Sequence, residues 1–343
     1  MEEGRFRNKI YWFTFLFSVL VVWVHSANAE IYLGWTDEAY LLYAFENFIG
    51  NVVAQVAVPG FFMISSYLFY RNFSWDKLKI KWYSRIRTVL VPFIVWNFLY
   101  YMGYVIASRI TGLKDVVGKG IVPFNLMAAG DAILNYTYNY VFWYLYQLIL
   151  LILLAPFIYL VIRNRYTAAA AGIAVLLAIN CGYRLMYLNL DALLYYGIAA
   201  YFAVHGKRAA EGEWSGRRMA VGAVMAAAGV TSLMLSAGGV RVVFVVMFRL
   251  LIPLSLWLMV SEKKLLKARG WMKNNFFLYA VHFAFVRLIN KTGAAVLPHV
   301  IEVPLTLYLL MPIICIVISS LLSAAIKKIS PPVWTLLTGG RTA

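Results

Sequence analysis

The chain has 343 residues, of which 63% are hydrophobic and only 13% charged, and its 31 Lys and Arg outnumber 14 Asp and Glu to give a net charge of +17. A soluble protein carries about 25% charged residues. The deficit, with repeated apolar runs of about 20 residues, excludes an ordinary soluble domain and points to an integral membrane protein. The runs do not alternate polar with apolar, so they read as helices and not as barrel strands. The fold class expected is all-α and polytopic.

The first run covers residues 10–28 and follows Arg5, Arg7 and Lys9. SANAE offers a small-residue cleavage-like site near Ala27 and Ala29, yet Trp12, Phe13, Phe15 and Phe17 are bulky for a signal peptide and further spans follow. A retained signal-anchor helix is the expectation. Nine more spans are read at 40–70, 89–108, 140–162, 167–182, 190–205, 219–237, 242–260, 275–291 and 303–326. The second is too long for one straight span and holds Pro59-Gly60, which predicts a kink or an interfacial helix over 38–51. About ten transmembrane helices result, in a single domain over 1–343 with a short tail from about 327.

With the N-terminus inside, about 23 of the 31 Lys and Arg fall in cytoplasmic loops. The positive-inside rule therefore predicts that both termini are cytoplasmic and accounts for the charge without nucleic acid. Cys181 and Cys315 lie in apolar runs without a CxxC motif. The four histidines lack ligand spacing, so no metal site is expected. No internal repeat of the kind that builds inverted-repeat transporters is evident.

Ionisable residues inside spans mark functional sites by default. His25 lies about 22 Å along the first helix from Ile10, in the outer half of the bilayer. On position alone it is either an interfacial histidine or a functional base. Arg249 interrupts VVFVVMFRLLIPLSLW, four residues before Pro253, which would free its carbonyl. It reads equally as half of a buried pair or as an anion or thioester-carbonyl binder. Asn275, Tyr279 and His282 fall within about 60° of one another at 100° per residue, a stripe that either glues helices or lines a cavity. In WDKLKIKWYSRIRTVLVPF, five basic residues precede a span. Anionic lipid attracts such a segment, and phosphate-rich ligands use the same arginine forks.

Five motifs occur in one order: VVWVH, VPGFFMISSYLF, SRIRTVLVPFIVWN, FWYLYQLILLILLAPF and FFLYAVHFAF. Together they resemble the acyltransferase-3 family of bacterial membrane proteins over nearly the whole chain. The resemblance implies an O-acetyltransferase-like enzyme of the inner membrane. It would move an acyl group, acetyl being the commonest, from cytosolic acyl-CoA to a hydroxyl of an envelope glycan, lipid-linked sugar or related acceptor. It implies His25 as the catalytic residue and Arg85 at the acyl-CoA entrance, where Arg87 is a further candidate for holding the CoA phosphates. Arg249 is the candidate for stabilising the thioester carbonyl, Tyr279 and His282 are candidates for lining the acceptor pocket or orienting His25, and Trp143 is a further candidate for the pocket.

Three positions depart from the family's pattern. Thr14 stands where an arginine often lies eleven residues before the histidine, on the same face about 16 Å away. SGY is Ser65-Ser66-Tyr67, and the histidine often preceding WFL is Val141. The alternatives are a transporter or flippase using the intramembrane charges as a path, and a non-catalytic sensor on the same fold.

Overall fold

A computed structural model describes residues 1–236 and 242–341, with no account of the side chains at 115–117. Helices joined by turns and loops make up the described residues, with no strand among them, and a helix lies at each of the ten expected positions. Six helical segments are long and apolar enough to cross a membrane, and a bent pair brings the number to seven. The shortfall from ten has physical causes. The helices Arg165–Asn180 and Leu190–His205 have 16 residues each, about 24 Å, which is less than a hydrocarbon core of about 30 Å. Asn275–Val296 has 22 residues and is long enough, but His282, Arg287, Asn290 and Lys291 lower its hydropathy. The chain is a multi-pass membrane protein.

Chain contacts divide the molecule into two units interleaved in sequence, one of residues 1–17, 55–82 and 147–272, the other of 18–54, 83–146 and 273–343.

In the first unit, the helix Ala57–Tyr70 packs on Leu190–His205, and the Ser66 hydroxyl donates to the Tyr196 carbonyl at 2.6 Å. Gly60 lets the chain approach the Phe17 ring, because a Cβ there would lie 2.2 Å from it. Gly222 and Gly229 likewise admit the helix Val242–Met259 against Gly216–Ser236, the small-residue packing that membrane helices use. Arg71 forks between Glu3 and Glu211, 2.7 Å from each.

Prolines organise several of these helices. Each lacks an N–H for the carbonyl four residues earlier. Pro156 leaves the Ile152 carbonyl without its helical donor, and the helices Tyr140–Leu153 and Ala155–Ile162 bend by 64° there. The Trp82 indole donates to that carbonyl at 2.9 Å. In the second unit, Pro312 leaves the Tyr308 carbonyl, which the Trp23 indole meets at 3.2 Å. Pro92 leaves the Thr88 carbonyl, and the Arg341 guanidinium meets it at 2.7 Å. An unsatisfied carbonyl inside a bilayer costs several kcal/mol, so these side chains are part of the helices they serve.

The second unit is held around Asn275–Val296. Tyr100 donates to the Ala280 carbonyl at 2.9 Å, and Val22, Leu278, Val286, Met311 and Cys315 form one apolar cluster. The expected interfacial helix over 38–51 corresponds to Asp37–Phe48, which Thr36 caps through the Ala39 amide. A π-helical turn, Ile49–Val53, and a 3₁₀ turn carry the chain on to Pro59.

Candidate functional site

His25 is the last residue of the helix Glu3–His25 and is half-buried. The chain beyond it is clamped. The Glu46 carboxylate, itself buried, accepts the backbone N–H of Asn28 and of Ala29 at 3.1 Å each. The Asn290 amide donates to the Ser26 carbonyl and accepts from the Asn28 amide, both at 3.2 Å. A carboxylate on free N–H groups at a helix start is favoured by the local dipole. His25 is thus fixed from its C-terminal side by Glu46 and Asn290, two residues that the sequence reading did not single out.

The imidazole faces three rings. The Tyr140 hydroxyl lies 2.9 Å from His25 Nδ1. The His282 ring is centred 5.4 Å away and the Phe283 ring 5.8 Å away. Tyr140 also packs edge-on against Phe283 at 4.5 Å. With Nδ1–H donating to the Tyr140 oxygen, Nε2 carries the lone pair and serves as a base.

His282 is fully buried, and its Nδ1 lies 2.6 Å from the Tyr279 carbonyl. A carbonyl only accepts, so Nδ1 carries the proton and Nε2 is bare. That Nε2 is buried with no hydrogen-bond partner among the described residues, as are both side-chain polar atoms of Asn139, the neighbour of Tyr140. Such orphans are uncommon in native interiors and call for an explanation.

Tyr279, expected in the acceptor pocket, is buried and donates to the Val141 carbonyl at 2.6 Å. Its ring stacks on Phe142 at 5.4 Å and 12°. It therefore anchors the 3₁₀ turn Tyr140–Phe142, and that turn carries Tyr140 to His25. Val141 contributes its carbonyl to that anchor. Trp143 opens the helix Trp143–Leu153 and is half-buried.

Arg249 belongs to the first unit, where its charge acts on Asp191 and Tyr195. The Thr14 hydroxyl, in the same unit, donates to the Ile10 carbonyl of its own helix at 2.8 Å. In the second unit, Arg287 lies against the Phe283 ring at 5.6 Å and donates to the Tyr104 hydroxyl at 2.8 Å. Its charge also acts on Tyr140. Arg287 is four residues from Phe283, one helical turn along the same face, and that spacing was its sequence signal.

Arg85 ends the helix Leu78–Arg85, and Arg87 lies in the π-helical turn Ile86–Leu90 that follows. Arg341 joins them from the C-terminus, with Arg85 acting on its charge. No group of three His, Cys, Asp or Glu side chains suited to a metal ion occurs among the described residues. The first unit also holds an apolar cavity of about 390 Å³, lined by Phe13, Phe17, Met63, Ile64 and Trp257 among others, with no histidine or carboxylate in its wall.

A family model described as an acyltransferase domain matches residues 10–326. No curated protein and no solved structure matches the chain.

Proposed function

The chain belongs to the acyltransferase-3 family of membrane acyltransferases, and on that premise we propose that it transfers an acyl group, acetyl in the first instance, from cytosolic acyl-CoA to a hydroxyl of an envelope glycan, lipid-linked sugar or related acceptor. The reading places the protein in a bacterial inner membrane with both termini cytoplasmic, as its basic loops predict.

The observation that carries the proposal is the His25 cluster: a half-buried imidazole with Nδ1 held by Tyr140 at 2.9 Å and a second, proton-poor imidazole nitrogen buried beside it. His25 Nε2 takes the proton of the acceptor hydroxyl as its oxygen attacks the thioester carbonyl. The new C–O bond forms, the C–S bond breaks, and the imidazolium returns the proton to the departing thiolate. Tyr140 accepts the Nδ1–H throughout, and that bond strengthens when the ring is charged. The unpartnered His282 Nε2 accepts a hydrogen bond from a second hydroxyl of the acceptor. Asn139, also unpartnered, offers the acceptor both a donor and an acceptor. This suits a polyhydroxylated substrate such as a sugar.

The positive charge that stabilises the oxyanion is assigned to Arg287, which acts on Tyr140 beside His25. Arg85 and Arg87 bind the phosphates of the donor, whose paired oxygens match guanidinium forks. Trp143 and Tyr279 bound the acceptor side, Tyr279 through the turn it anchors.

Incubating the purified protein in lipid nanodiscs with acetyl-labelled CoA and a membrane glycan extract tests the reading. Label in the glycan, with release of free CoA, supports it. Flux of a glycan precursor across vesicles with no CoA released would instead support a transporter and overturn it.

A further inference from the structure

The matched family region ends at residue 326, and the chain runs on. Pro331-Pro332 begin a short helix, Pro331–Thr338, whose Leu337 carbonyl accepts from the Trp96 indole at 2.9 Å and whose Trp334 ring packs on Phe277 at 5.2 Å. The helix stops at Gly339. Gly339 and Gly340 both have φ of +69°, a left-handed conformation that only glycine adopts freely. They turn the tail onto the basic motif. A Cβ on Gly339 would stand 2.5 Å from the Arg87 carbonyl, and one on Gly340 2.6 Å from the Arg87 guanidinium.

Arg341 is then locked in place from two sides. Its Nη2 donates to the Thr88 carbonyl at 2.7 Å, the carbonyl that Pro92 leaves without a helical donor. Its guanidinium lies 3.9 Å from the Phe276 ring centre, a cation–π contact. The carbonyl that receives Arg341 is therefore exposed by the proline of the same VPF sequence that follows the arginines. A π-helical turn at 86–90 opens the backbone at the same point, as such turns often do at functional sites.

The result is a third guanidinium held beside two others. Neither Arg87 nor Arg341 is paired with a carboxylate among the described residues. Burial, with the charge of Arg85 adding to it, pushes the Arg341 guanidinium down to about 10. Gathering like charges is unfavourable unless an anion joins them. Among the described residues one of the five Arg341 N–H donors is spent, on Thr88, and the fork geometry of the rest matches phosphate oxygens.

We propose that the C-terminal tail is part of the donor site: Arg341, pinned to Thr88 and Phe276, completes with Arg85 and Arg87 a three-arginine cradle for the phosphates of the acyl-CoA nucleotide. This rests on the proposed acyl-CoA reading of Arg85 and Arg87. It adds a ligand contact from a segment outside the matched family region.

The test measures the affinity of the full-length protein in nanodiscs for acetyl-CoA, and for acetyl-pantetheine, which lacks the nucleotide phosphates. Arg341→Gln keeps a donor for the Thr88 carbonyl and removes the charge. Arg341→Lys keeps the charge and removes the fork. The proposal expects Arg341→Gln to weaken acetyl-CoA about tenfold or more, Arg341→Lys to weaken it less, and acetyl-pantetheine to bind all three proteins equally. Arg85→Ala is the control. If Arg85→Ala weakens acetyl-CoA and Arg341→Gln does not, the tail is overturned and the donor site stands. If both variants bind acetyl-CoA as the unmodified protein does, the donor site falls as well. Equal weakening of both ligands by Arg341→Gln, with a lowered melting temperature, would make Arg341 a structural residue and overturn the proposal.

Discussion

Replacing Tyr140 by Phe removes one oxygen and little else. The ring keeps its edge contact with Phe283 at 4.5 Å, and the side chain is half-exposed, so no buried polar group loses a partner. What is lost is the 2.9 Å hydrogen bond to His25 Nδ1. A neutral hydrogen bond contributes about 1 kcal/mol and one to a charged group about 1.5–3 kcal/mol. His25 is neutral before it takes the acceptor proton and charged afterwards. The bond is therefore worth about 0.5–2 kcal/mol more in the transition state than in the ground state, or about 2–30-fold in rate. Exposure of Tyr140 to solvent favours the lower half of that range, and we expect kcat to fall about 3–10-fold. Tyr140 acts through His25, so KM for acyl-CoA and the melting temperature should stay within error of the unmodified protein. Steady-state transfer of labelled acetyl groups, with donor and acceptor varied in turn, reads both constants. An unchanged kcat, or a loss confined to KM, would refute the view that Tyr140 orients the base.

Three further outcomes follow from the same geometry. Glu46→Gln leaves one oxygen for the Asn28 and Ala29 amides and sets an NH2 where the other carboxylate oxygen accepts the Asn28 N–H; it should lower stability by about 1–2 kcal/mol and reduce transfer, as thermal melts and activity would register together. Tyr279→Phe orphans the buried Val141 carbonyl; a cost of about 1–3 kcal/mol and a lower kcat are expected, whereas an unchanged kcat would detach that turn from the site. Gly60→Ala puts a Cβ 2.2 Å from the Phe17 ring, so overpacking of about 1–3 kcal/mol should appear as a lowered melting temperature, and normal stability would mean the ring has room to move.

Helix positions were legible in the sequence because each follows from a local apolar run, and a helix lies within each of the ten runs. Crossing the membrane was less legible, since residues 167–182 and 190–205 make helices of only 16 residues. His25 and His282 were each visible as ionisable groups in apolar runs. Their contact was not, because no periodicity within one helix says which face of another it meets. Tyr140 was missed for a related reason. A tyrosine near a membrane interface has an ordinary explanation, and its partner lies 115 positions away. Arg249 acts on Asp191 within the first unit, a pairing across 58 positions that no local pattern announces. Arg341 looked like one more basic residue of a cytoplasmic tail. Its role depends on the carbonyl freed by Pro92, which can be read from the sequence, and on which donor reaches it, which cannot.

The central claim is that His25 is the base of an acyl transfer from acyl-CoA. The most direct measurement compares His25→Ala with the unmodified protein, both purified at equal yield and matched melting temperature, for label passing from acetyl-CoA to a membrane glycan. The account predicts that His25→Ala still binds acetyl-CoA, because the three arginines are intact, and transfers no label above background. Transfer by His25→Ala at the rate of the unmodified protein would contradict it.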